Sequence, residues 1–261
     1  MDIVGRMKGK RVLVTGAASG IGLAIAQRMA QEGARVAICD VQPAVLRTVA
    51  QAHPDWLCLQ ADVSSEADVR HMFDAVASGL GGLDCLVNNA GIAGPTLPVE
   101  EIAVEQWEAV QACNVRGAFL CARAAAPLLK AQGGSLIILS SVAGRMGVPY
   151  RTPYAAAKWA LIGLAKSLAL EMGEYKVRVN AILPGLTRGP RLDGVIQARA
   201  QGAGRSFDEQ VALEVGSTAL REMGEARDIA NAALYLASDE GRLVTGVALA
   251  VDAGMESVTF R

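Results

Sequence analysis

The stretch that decides the fold is Thr15-Gly16-Ala17-Ala18-Ser19-Gly20-Ile21-Gly22. It follows the apolar run Arg11 to Thr15, which is typical of a buried strand, and it opens a segment of helical period from Gly20 to Gln31. Between a strand and a helix, glycines let the backbone turn sharply and approach a pyrophosphate, while the helix N-terminus offers free N–H groups. The spacing GxxxGxG differs from GxGxxG, so a tight turn that needs glycine for geometry alone is the alternative.

Asp40 ends the next apolar run, 18 residues after Gly22. A carboxylate at the end of the second strand can accept hydrogen bonds from the adenosine ribose, and it would repel a 2′-phosphate. Ala17 leaves the turn without a basic side chain that could hold such a phosphate. NAD is therefore the predicted cofactor, and the alternative role for Asp40 is an N-cap of the following helix.

Apolar runs and helical segments alternate along the whole chain, which predicts a parallel sheet with right-handed crossovers. The predicted strands are Arg11–Thr15, Arg35–Cys39, Trp56–Gln60, Asp84–Val87, Ser135–Leu139, Val177–Ile182 and Val247–Val251. The predicted helices are Gly20–Gln31, Gln42–Ala52, Glu66–Ser78, Val104–Ala131, Pro153–Met172 and Glu225–Ala237. We therefore expect an α/β fold with a Rossmann-type, doubly wound parallel sheet and helices on both faces.

Length and composition agree with one such domain. The chain has 261 residues, of which 52% are hydrophobic and only 4% aromatic, so the core is built from Ala, Val, Leu and Ile. Lys and Arg number 25 against 26 Asp and Glu, which leaves no global field to attract nucleic acid or a membrane surface. The N-terminal ten residues do not read as a signal peptide, and a cytoplasmic location is expected.

The five cysteines lie within apolar runs and have few histidines as companions. Buried thiols are favoured over disulfides, and no metal site is predicted. They are Cys39, Cys58, Cys85, Cys113 and Cys121.

The chemistry is predicted at Tyr154-Ala155-Ala156-Ala157-Lys158, where a spacing of four places both functional side chains on one helix face. An ammonium within a few ångströms stabilises a phenolate and lowers the pKa of a tyrosine, which can then exchange a proton with a substrate hydroxyl. The alternative is a solvated pair on a helix surface.

Polar residues at the ends of other strands favour the catalytic interpretation. Ser140-Ser141 follows the run Leu136 to Leu139, and Asn88-Asn89-Ala90-Gly91 ends another strand at the same edge of the sheet. A serine hydroxyl there can stabilise charge on the reacting oxygen. Asn114 lies within the long predicted helix that follows.

Together these motifs resemble the short-chain dehydrogenase/reductase family, of the type with about 250 residues. The matching motifs, in family order over nearly the whole chain, are TGAASGIG at 15–22, Asp62-Val63, NNAG at 88–91, Asn114, Ser141, YAAAK at 154–158 and Pro184-Gly185. Near the C-terminus, Val251-Asp252-Ala253-Gly254 replaces the commoner Asp-Gly-Gly.

The resemblance implies a role for each motif. Tyr154 would be the acid/base, Lys158 would lower its pKa and hold the nicotinamide ribose, and Ser141 would orient the substrate oxygen. Asn114 would hold a water that links Lys158 to solvent. The implied cofactor-binding residues are Gly16, Ser19, Gly20, Ile21, Gly22, Asp40, Asp62, Val63, Asn89, Ala90, Gly91, Tyr154, Lys158, Pro184, Gly185 and Thr187.

The family also implies a seven-stranded sheet in the order 3-2-1-4-5-6-7 and a homotetramer built from the two long helices and the C-terminal strand. Residues 1–261 would then form a single dinucleotide-binding catalytic domain.

An irregular stretch, Gly185 to Ser217, follows a strand at the position of a substrate lid. Arginines here and before Tyr154 could bind a carboxylate, phosphate or sulfonate on the substrate. They are Arg145, Arg151, Arg188, Arg191, Arg199 and Arg205. A solvated surface on which they pair with Asp193, Asp208 and Glu209 is the alternative.

The sequence therefore predicts an NAD-dependent oxidoreductase that acts on a secondary alcohol or its ketone. One alternative is an NADPH-dependent reductase of a 3-oxoacyl thioester or another ketone, against which Asp40 speaks. Another is a dinucleotide-sensing binding protein without turnover, which would not need Tyr154 and Lys158.

Overall fold

The alternating segments build one parallel sheet. In the computed structural model, which describes residues 5–257, seven parallel strands lie in the order β3-β2-β1-β4-β5-β6-β7. The strands are β1 (Arg11–Thr15), β2 (Arg35–Asp40), β3 (Leu57–Gln60), β4 (Cys85–Asn88), β5 (Gly134–Leu139), β6 (Val177–Pro184) and β7 (Ala248–Val251). The predicted strand order is confirmed. Residues 1–4 and 258–261 of the predicted domain, including the start of the N-terminal segment, lie outside the described residues.

Helices cover both faces of this sheet, as the doubly wound prediction requires. They are α1 (Gly20–Gln31), α2 (Pro43–Ala52), α3 (Glu66–Leu80), α4 (Val104–Gln111), α5 (Gly117–Lys130), α6 (Thr152–Met172), α7 (Pro190–Gly202), α8 (Phe207–Gly216) and α9 (Ala226–Ala237). One core cluster joins the sheet to α3, α5 and α6, and a second joins it to α1, α2 and α9. Because both faces are buried, the strands read as continuous apolar runs.

The long helix predicted from Val104 to Ala131 is interrupted, and that prediction was wrong in this respect. A π-helical turn, Ala112–Arg116, separates α4 from α5. Apolar residues continue through the turn, so the hydrophobic period gives no sign of it. π-turns of this kind occur mostly at functional sites, and this one contains Asn114.

The stretch from Gly185 to Ser217, expected to be irregular, contains the helices α7 and α8. Ser206 caps α8 by accepting a hydrogen bond from the Glu209 N–H, in a capping box. Arg199 of α7 pairs with the buried Glu214 of α8 at 2.6 Å, and Gln210 donates to the same carboxylate. The two helices form a hairpin held by polar contacts, which hydrophobic periodicity does not reveal.

The five cysteines are free thiols, as predicted. Burial raises the pKa of Cys39 and of Cys85 to about 12, so these thiols are un-ionised and unreactive at neutral pH. Cys58 and Cys113 are only partly buried.

Residues 5–257 contain neither a membrane-spanning helix nor a metal-binding cluster. None of their helices combines the length and apolar character that a bilayer crossing requires. No group of three or more His, Cys, Asp or Glu side chains in this range could hold a metal ion.

Candidate active site

The turn between β1 and α1 uses its glycines for different purposes. Gly16 (φ 59°) and Gly20 (φ 57°) lie in the left-handed region, which favours glycine. A Cβ on Gly16 would lie 2.8 Å from the Ala90 Cα, whereas one on Gly20 would meet nothing within 4 Å. A Cβ on Gly22 would lie 2.5 Å from the Asn89 amide nitrogen. Gly16 and Gly22 therefore allow close packing, and Gly20 faces open space where a ligand can approach.

The first turn of α1 leaves hydrogen-bond donors free. The N–H of Leu23 bonds to the Ser19 carbonyl, and the three preceding N–H groups, of Gly20, Ile21 and Gly22, precede the first intrahelical bond. The exposed Ser19 is the N-cap, but its hydroxyl makes no capping bond. These uncommitted donors, with the positive end of the helix dipole, suit a pyrophosphate.

Thr15, which was not predicted from the sequence, joins the glycine turn to the segment after β4. Its buried hydroxyl accepts hydrogen bonds from the N–H groups of Asn89 and Ala90, both at 3.1 Å. The Asn89 side-chain amide donates to the carbonyls of Thr15 and Gly16 at 2.9 and 2.8 Å. The NNAG segment after β4 is thereby fixed to the glycine turn. The only sign of this role in the sequence was a hydroxyl residue at the carboxyl end of β1.

Asp40 lies at the end of β2 and contacts the same turn. Its carboxylate accepts hydrogen bonds from the Ala18 N–H and the Gln42 N–H, both at 3.1 Å. The N-cap of α2 is Gln42, so the alternative role of Asp40 as that N-cap is wrong. The carboxylate is positioned beside the turn, with lone pairs left for a ribose hydroxyl.

Asp62 and Val63 follow β3 at the same edge of the sheet. One oxygen of the exposed Asp62 carboxylate accepts hydrogen bonds from the N–H and the hydroxyl of Ser64, both at 2.8 Å. Val63 is buried, and a Cβ on Gly117 would lie 2.8 Å from its Cγ2. Val63 thus packs against the start of α5.

A reciprocal pair of hydrogen bonds joins α6 to the end of β5. The Lys158 ammonium donates to the Leu139 carbonyl at 2.7 Å, and the Ser140 hydroxyl donates to the Lys158 carbonyl, also at 2.7 Å. Gly144 lets the chain pass close by, since a Cβ there would lie 2.7 Å from the Lys158 carbonyl oxygen. The Ser140 hydroxyl is therefore engaged by a backbone carbonyl of α6. In this it differs from its neighbour Ser141.

Tyr154 and Lys158 lie on one face of α6, and Lys158 is buried rather than solvated. The Lys158 Nζ is 5.4 Å from the centre of the Tyr154 ring, and the lysine is only 4% exposed. Burial lowers the pKa of Lys158, and the phenol of Tyr154 acts in the opposite direction. Lys158 is thus enclosed and Tyr154 is partly buried, which rules out the alternative of a solvated pair on a helix surface.

The Asn114 side chain forms its hydrogen bonds with the protein backbone. Its amide oxygen accepts a hydrogen bond from the Ile92 N–H at 2.8 Å, and its amide nitrogen donates to the Ile92 carbonyl at 3.0 Å. A Cβ on Gly91 would lie 3.0 Å from the Asn114 oxygen and 3.9 Å from the Lys158 Nζ. Asn114 therefore fixes the loop after β4 next to Lys158.

Ser141 begins a short helical turn at the end of β5, and the segment after β6 runs beside it. Its hydroxyl accepts a hydrogen bond from the Ala143 N–H at 3.2 Å and donates to the Pro184 carbonyl at a long 3.4 Å. Gly185 packs against Asp252, since a Cβ there would lie 2.7 Å from the Asp252 Cα. Thr187, in the segment after β6, forms an isolated parallel β-bridge with Gly224.

Two of the six arginines form ion pairs, but not with the predicted partners. Arg145 pairs with Glu256 and Arg199 with Glu214, each at 2.6 Å. Among the ion pairs of residues 5–257, none joins any of the six arginines to Asp193, Asp208 or Glu209.

The arrangement brings the sequence-predicted residues to one edge of the sheet. The carboxyl ends of strands carry the glycine turn, Asp40, the NNAG segment, Ser141 and the segment after β6. Helix α6 brings the Tyr154–Lys158 pair to the same edge, where Lys158 bonds to the end of β5. This is the edge at which ligands bind in open α/β sheets.

Comparison with known proteins agrees with this geometry. A family model described as enoyl-(acyl carrier protein) reductase matches residues 16–256. The L-fucose dehydrogenase of Oryctolagus cuniculus is 36% identical over 96% of this chain and 86% of its own, and the 3-oxoacyl-[acyl-carrier-protein] reductase FabG of Staphylococcus aureus is 34% identical over 94% and 98%.

Among solved structures, an NAD+-bound xylitol dehydrogenase superposes with a TM-score of 0.91 at 31% identity, covering 95% of this chain and 99% of the other. Full-length matches of this kind, in sequence and in structure, leave one conclusion. The chain belongs to the short-chain dehydrogenase/reductase family of oxidoreductases.

Proposed function

We propose that the protein is an NAD(H)-dependent oxidoreductase that interconverts a secondary alcohol and its ketone. The observation that carries the proposal is the buried Lys158 ammonium, held 5.4 Å from the Tyr154 ring at the edge of the sheet where the glycine turn opens. L-fucose dehydrogenase and xylitol dehydrogenase, by their names, act on polyhydroxylated substrates, which supports a secondary alcohol as substrate class.

In the proposed mechanism, Tyr154 takes the proton of the substrate hydroxyl in oxidation and returns it in reduction. The Lys158 ammonium favours the phenolate by its charge, and its bond to the Leu139 carbonyl fixes its direction. The Ser141 hydroxyl donates a hydrogen bond to the reacting oxygen, for which its long bond to Pro184 leaves it available. Water then receives the proton from Tyr154 in the direction of oxidation.

The residues of the turn fit a nicotinamide dinucleotide. Ser19, Gly20, Ile21 and Gly22 supply the donors for its pyrophosphate, and Asp40 accepts from the adenosine ribose. We assign Asp62 and Val63 to the adenine and Asn89, Ala90, Gly91, Pro184, Gly185 and Thr187 to the nicotinamide half. A nicotinamide held by these residues would supply hydride transfer, to or from the carbinol carbon of the substrate.

We further propose that a water links Lys158 to solvent through the backbone near Asn114. The oxygen and the nitrogen of the Asn114 side chain each already bond to Ile92, so we assign this water to the backbone of the π-turn rather than to the amide. The helices α7 and α8 would form a lid over the substrate, since they follow β6 at the edge that carries Tyr154.

A homotetramer is also proposed, with α5 and α6 in the interface. Large apolar side chains point outward from these helices: Phe119 is 46% exposed, Trp159 is 53% and Leu170 is 87%. Exposed apolar surface on packed helices is typical of subunit contacts.

An NADPH-dependent ketone reductase remains the second candidate, because the FabG relative is named as a 3-oxoacyl-[acyl-carrier-protein] reductase. The Asp40 carboxylate, bonded to the Ala18 N–H at 3.1 Å, favours NAD over a cofactor with a 2′-phosphate.

The proposed chemistry predicts that Tyr154→Phe loses activity and keeps cofactor binding. A panel of secondary alcohols, polyols and cyclic diols is screened with NAD+ and with NADP+ by following the reduced cofactor. We expect kcat to fall by about 10²- to 10⁴-fold, because the phenol is the proton carrier. Tyr175→Phe, a change at an exposed tyrosine, serves as control. Equal turnover by Tyr154→Phe, or tight dinucleotide binding by the native protein without turnover of any substrate, would contradict the proposal.

Alanine variants of the two adjacent serines should affect different properties, kcat for Ser141 and the free energy of unfolding for Ser140. Ser141→Ala is expected to lower kcat by about 10²- to 10³-fold because it removes a donor to the reacting oxygen. Ser140→Ala removes the bond to the Lys158 carbonyl and should lower the free energy of unfolding by about 1–2 kcal/mol. Kinetics and thermal unfolding of both variants test this, and a larger rate loss in Ser140→Ala would refute the assignment.

Asp40→Asn should weaken cofactor discrimination. The amide keeps an acceptor for the Ala18 N–H but loses the charge that repels a phosphate. The ratio of kcat/KM with NAD+ to that with NADP+ is expected to fall by about 10- to 100-fold. Asp55→Asn, at an exposed loop position, is the control. An unchanged ratio would remove Asp40 from cofactor selection.

Light scattering of the purified protein should give four times the chain mass of 27.1 kDa. Leu170→Glu should dissociate the assembly because it places charge in an apolar contact, whereas Leu213→Glu on α8 should not. A native protein with the mass of one chain would exclude the tetramer.

A further inference from the structure

A second buried cation, Arg151, lies against the ring of Tyr154. It immediately precedes α6 and is only 5% exposed. Its guanidinium carbon lies 4.8 Å from the centre of the Tyr154 ring, closer than the Lys158 Nζ at 5.4 Å. Tyr154 thus has two positive charges within 6 Å of its ring centre.

No carboxylate of residues 5–257 forms an ion pair with Arg151. One hydrogen bond of its guanidinium is seen in this range, to the Thr96 hydroxyl at 3.1 Å. Burial lowers the pKa of Arg151, yet an arginine stays protonated in proteins. A buried charge with one neutral partner is costly, and such charges are normally paired.

The backbone holds Arg151 in this position. The preceding residue, Tyr150, has a φ of 63°, an unfavourable value for a bulky side chain. Its carbonyl accepts a hydrogen bond from the Leu97 N–H at 3.1 Å, one residue from the Thr96 that contacts Arg151. Backbone strain and a buried charge at the same point indicate a functional constraint.

Arg191, an exposed residue at the start of α7, reaches the loop beside Lys158. It donates to the Gly91 carbonyl at 2.8 Å, and Gly91 borders Lys158. Burial is the main cause of the lowered pKa of Arg151 and of Lys158, and the positive charge of Arg191 lowers both further. Arg199 also lowers the pKa of Arg151. Arg199 and Arg145, by contrast, are neutralised by Glu214 and Glu256.

We propose that Arg151, assisted by Arg191, binds an oxyanion on the substrate, so that the enzyme acts on a short hydroxy acid or its carbonyl counterpart. This inference rests on the proposed function and adds the substrate class to it. A guanidinium binds a carboxylate, sulfonate or phosphonate by two parallel hydrogen bonds. The anion supplies the counter-charge that no carboxylate of residues 5–257 supplies.

Geometry limits the size of this substrate. A carboxylate paired with Arg151 has its carbon about 4 Å from the guanidinium carbon. That guanidinium is itself 4.8 Å from the Tyr154 ring, so the anionic group and the reacting carbon are separated by only a few bonds. The reacting alcohol and its anion are thus parts of one small molecule.

The test compares matched substrates in the full-length native enzyme and in Arg151→Met. The substrates are β-hydroxybutanoate, its uncharged amide, and the sulfonate and phosphonate analogues of the acid. We expect the native enzyme to prefer the anions. The ratio of kcat/KM for acid over amide should fall by about 10- to 150-fold in Arg151→Met. Arg227→Met, at an exposed position on α9, controls for loss of positive charge.

Kinetic outcomes decide between roles of Arg151. An equal loss of kcat/KM for acid and amide would show that Arg151 acts on Tyr154 alone and would overturn the proposal. An unchanged ratio would overturn it as well, while turnover of neutral alcohols that depends on Tyr154 would leave the proposed function standing. Among the anions, the largest kcat/KM identifies the preferred oxyanion.

A binding measurement decides the matter if neither acid nor amide is turned over. Titration calorimetry of the NADH complex with butanoate and with butanamide needs no reaction. Tighter binding of butanoate that is lost in Arg151→Met supports the proposal, and equal binding of the two probes refutes it. NADH affinity of Arg151→Met and of Arg151→Lys, measured in the same way, verifies that the variants are folded.

Discussion

The site depends on one interaction, the hydrogen bond from the buried Lys158 ammonium to the Leu139 carbonyl. It fixes the first turns of α6 against the carboxyl end of β5, and the Ser140 bond to the Lys158 carbonyl completes the connection. Because a helix is rigid, this contact also determines where Tyr154 lies, one turn earlier. A lysine free in solvent would lose its orientation and most of its electrostatic effect on the phenol.

A second hydrogen-bond network fixes the glycine turn, just as the bonds of Lys158 fix the Tyr154–Lys158 pair. The Thr15 hydroxyl and the Asn89 amide join the ends of β1 and β4, and the Asp40 carboxylate joins the end of β2 to the same turn. Three neighbouring strands therefore hold the glycine turn before any ligand arrives. Such rigid support would keep the N–H donors of the turn aligned for the proposed pyrophosphate, and the Asp40 acceptor aligned for the proposed ribose.

Much of this could be predicted because parallel strands bury both faces and so produce apolar runs that are easily recognised. All seven strands were predicted within two residues of their ends. Tyr154 and Lys158 were predicted from their spacing of four on one helix, and Ser141 from its position after a strand. The π-turn around Asn114 was missed because apolar residues continue through it and leave no break in the apolar segment. The α7–α8 pair was missed because polar contacts such as Arg199–Glu214 hold it together. The partners of the arginines depend on tertiary contacts that sequence spacing does not specify.

The distribution of charge in the site contrasts with that of the whole chain, whose formal net charge is −1. Lys158 and Arg151 lie against the ring of one tyrosine, and Arg191 bonds to Gly91 beside Lys158, while Arg145 and Arg199 have carboxylate partners. Selection for stability alone would supply a carboxylate to Arg151 as well, since an unpaired buried cation destabilises the fold. Its absence among the described residues, together with the left-handed backbone at Tyr150, is a local conflict of the kind that natural proteins retain at functional sites.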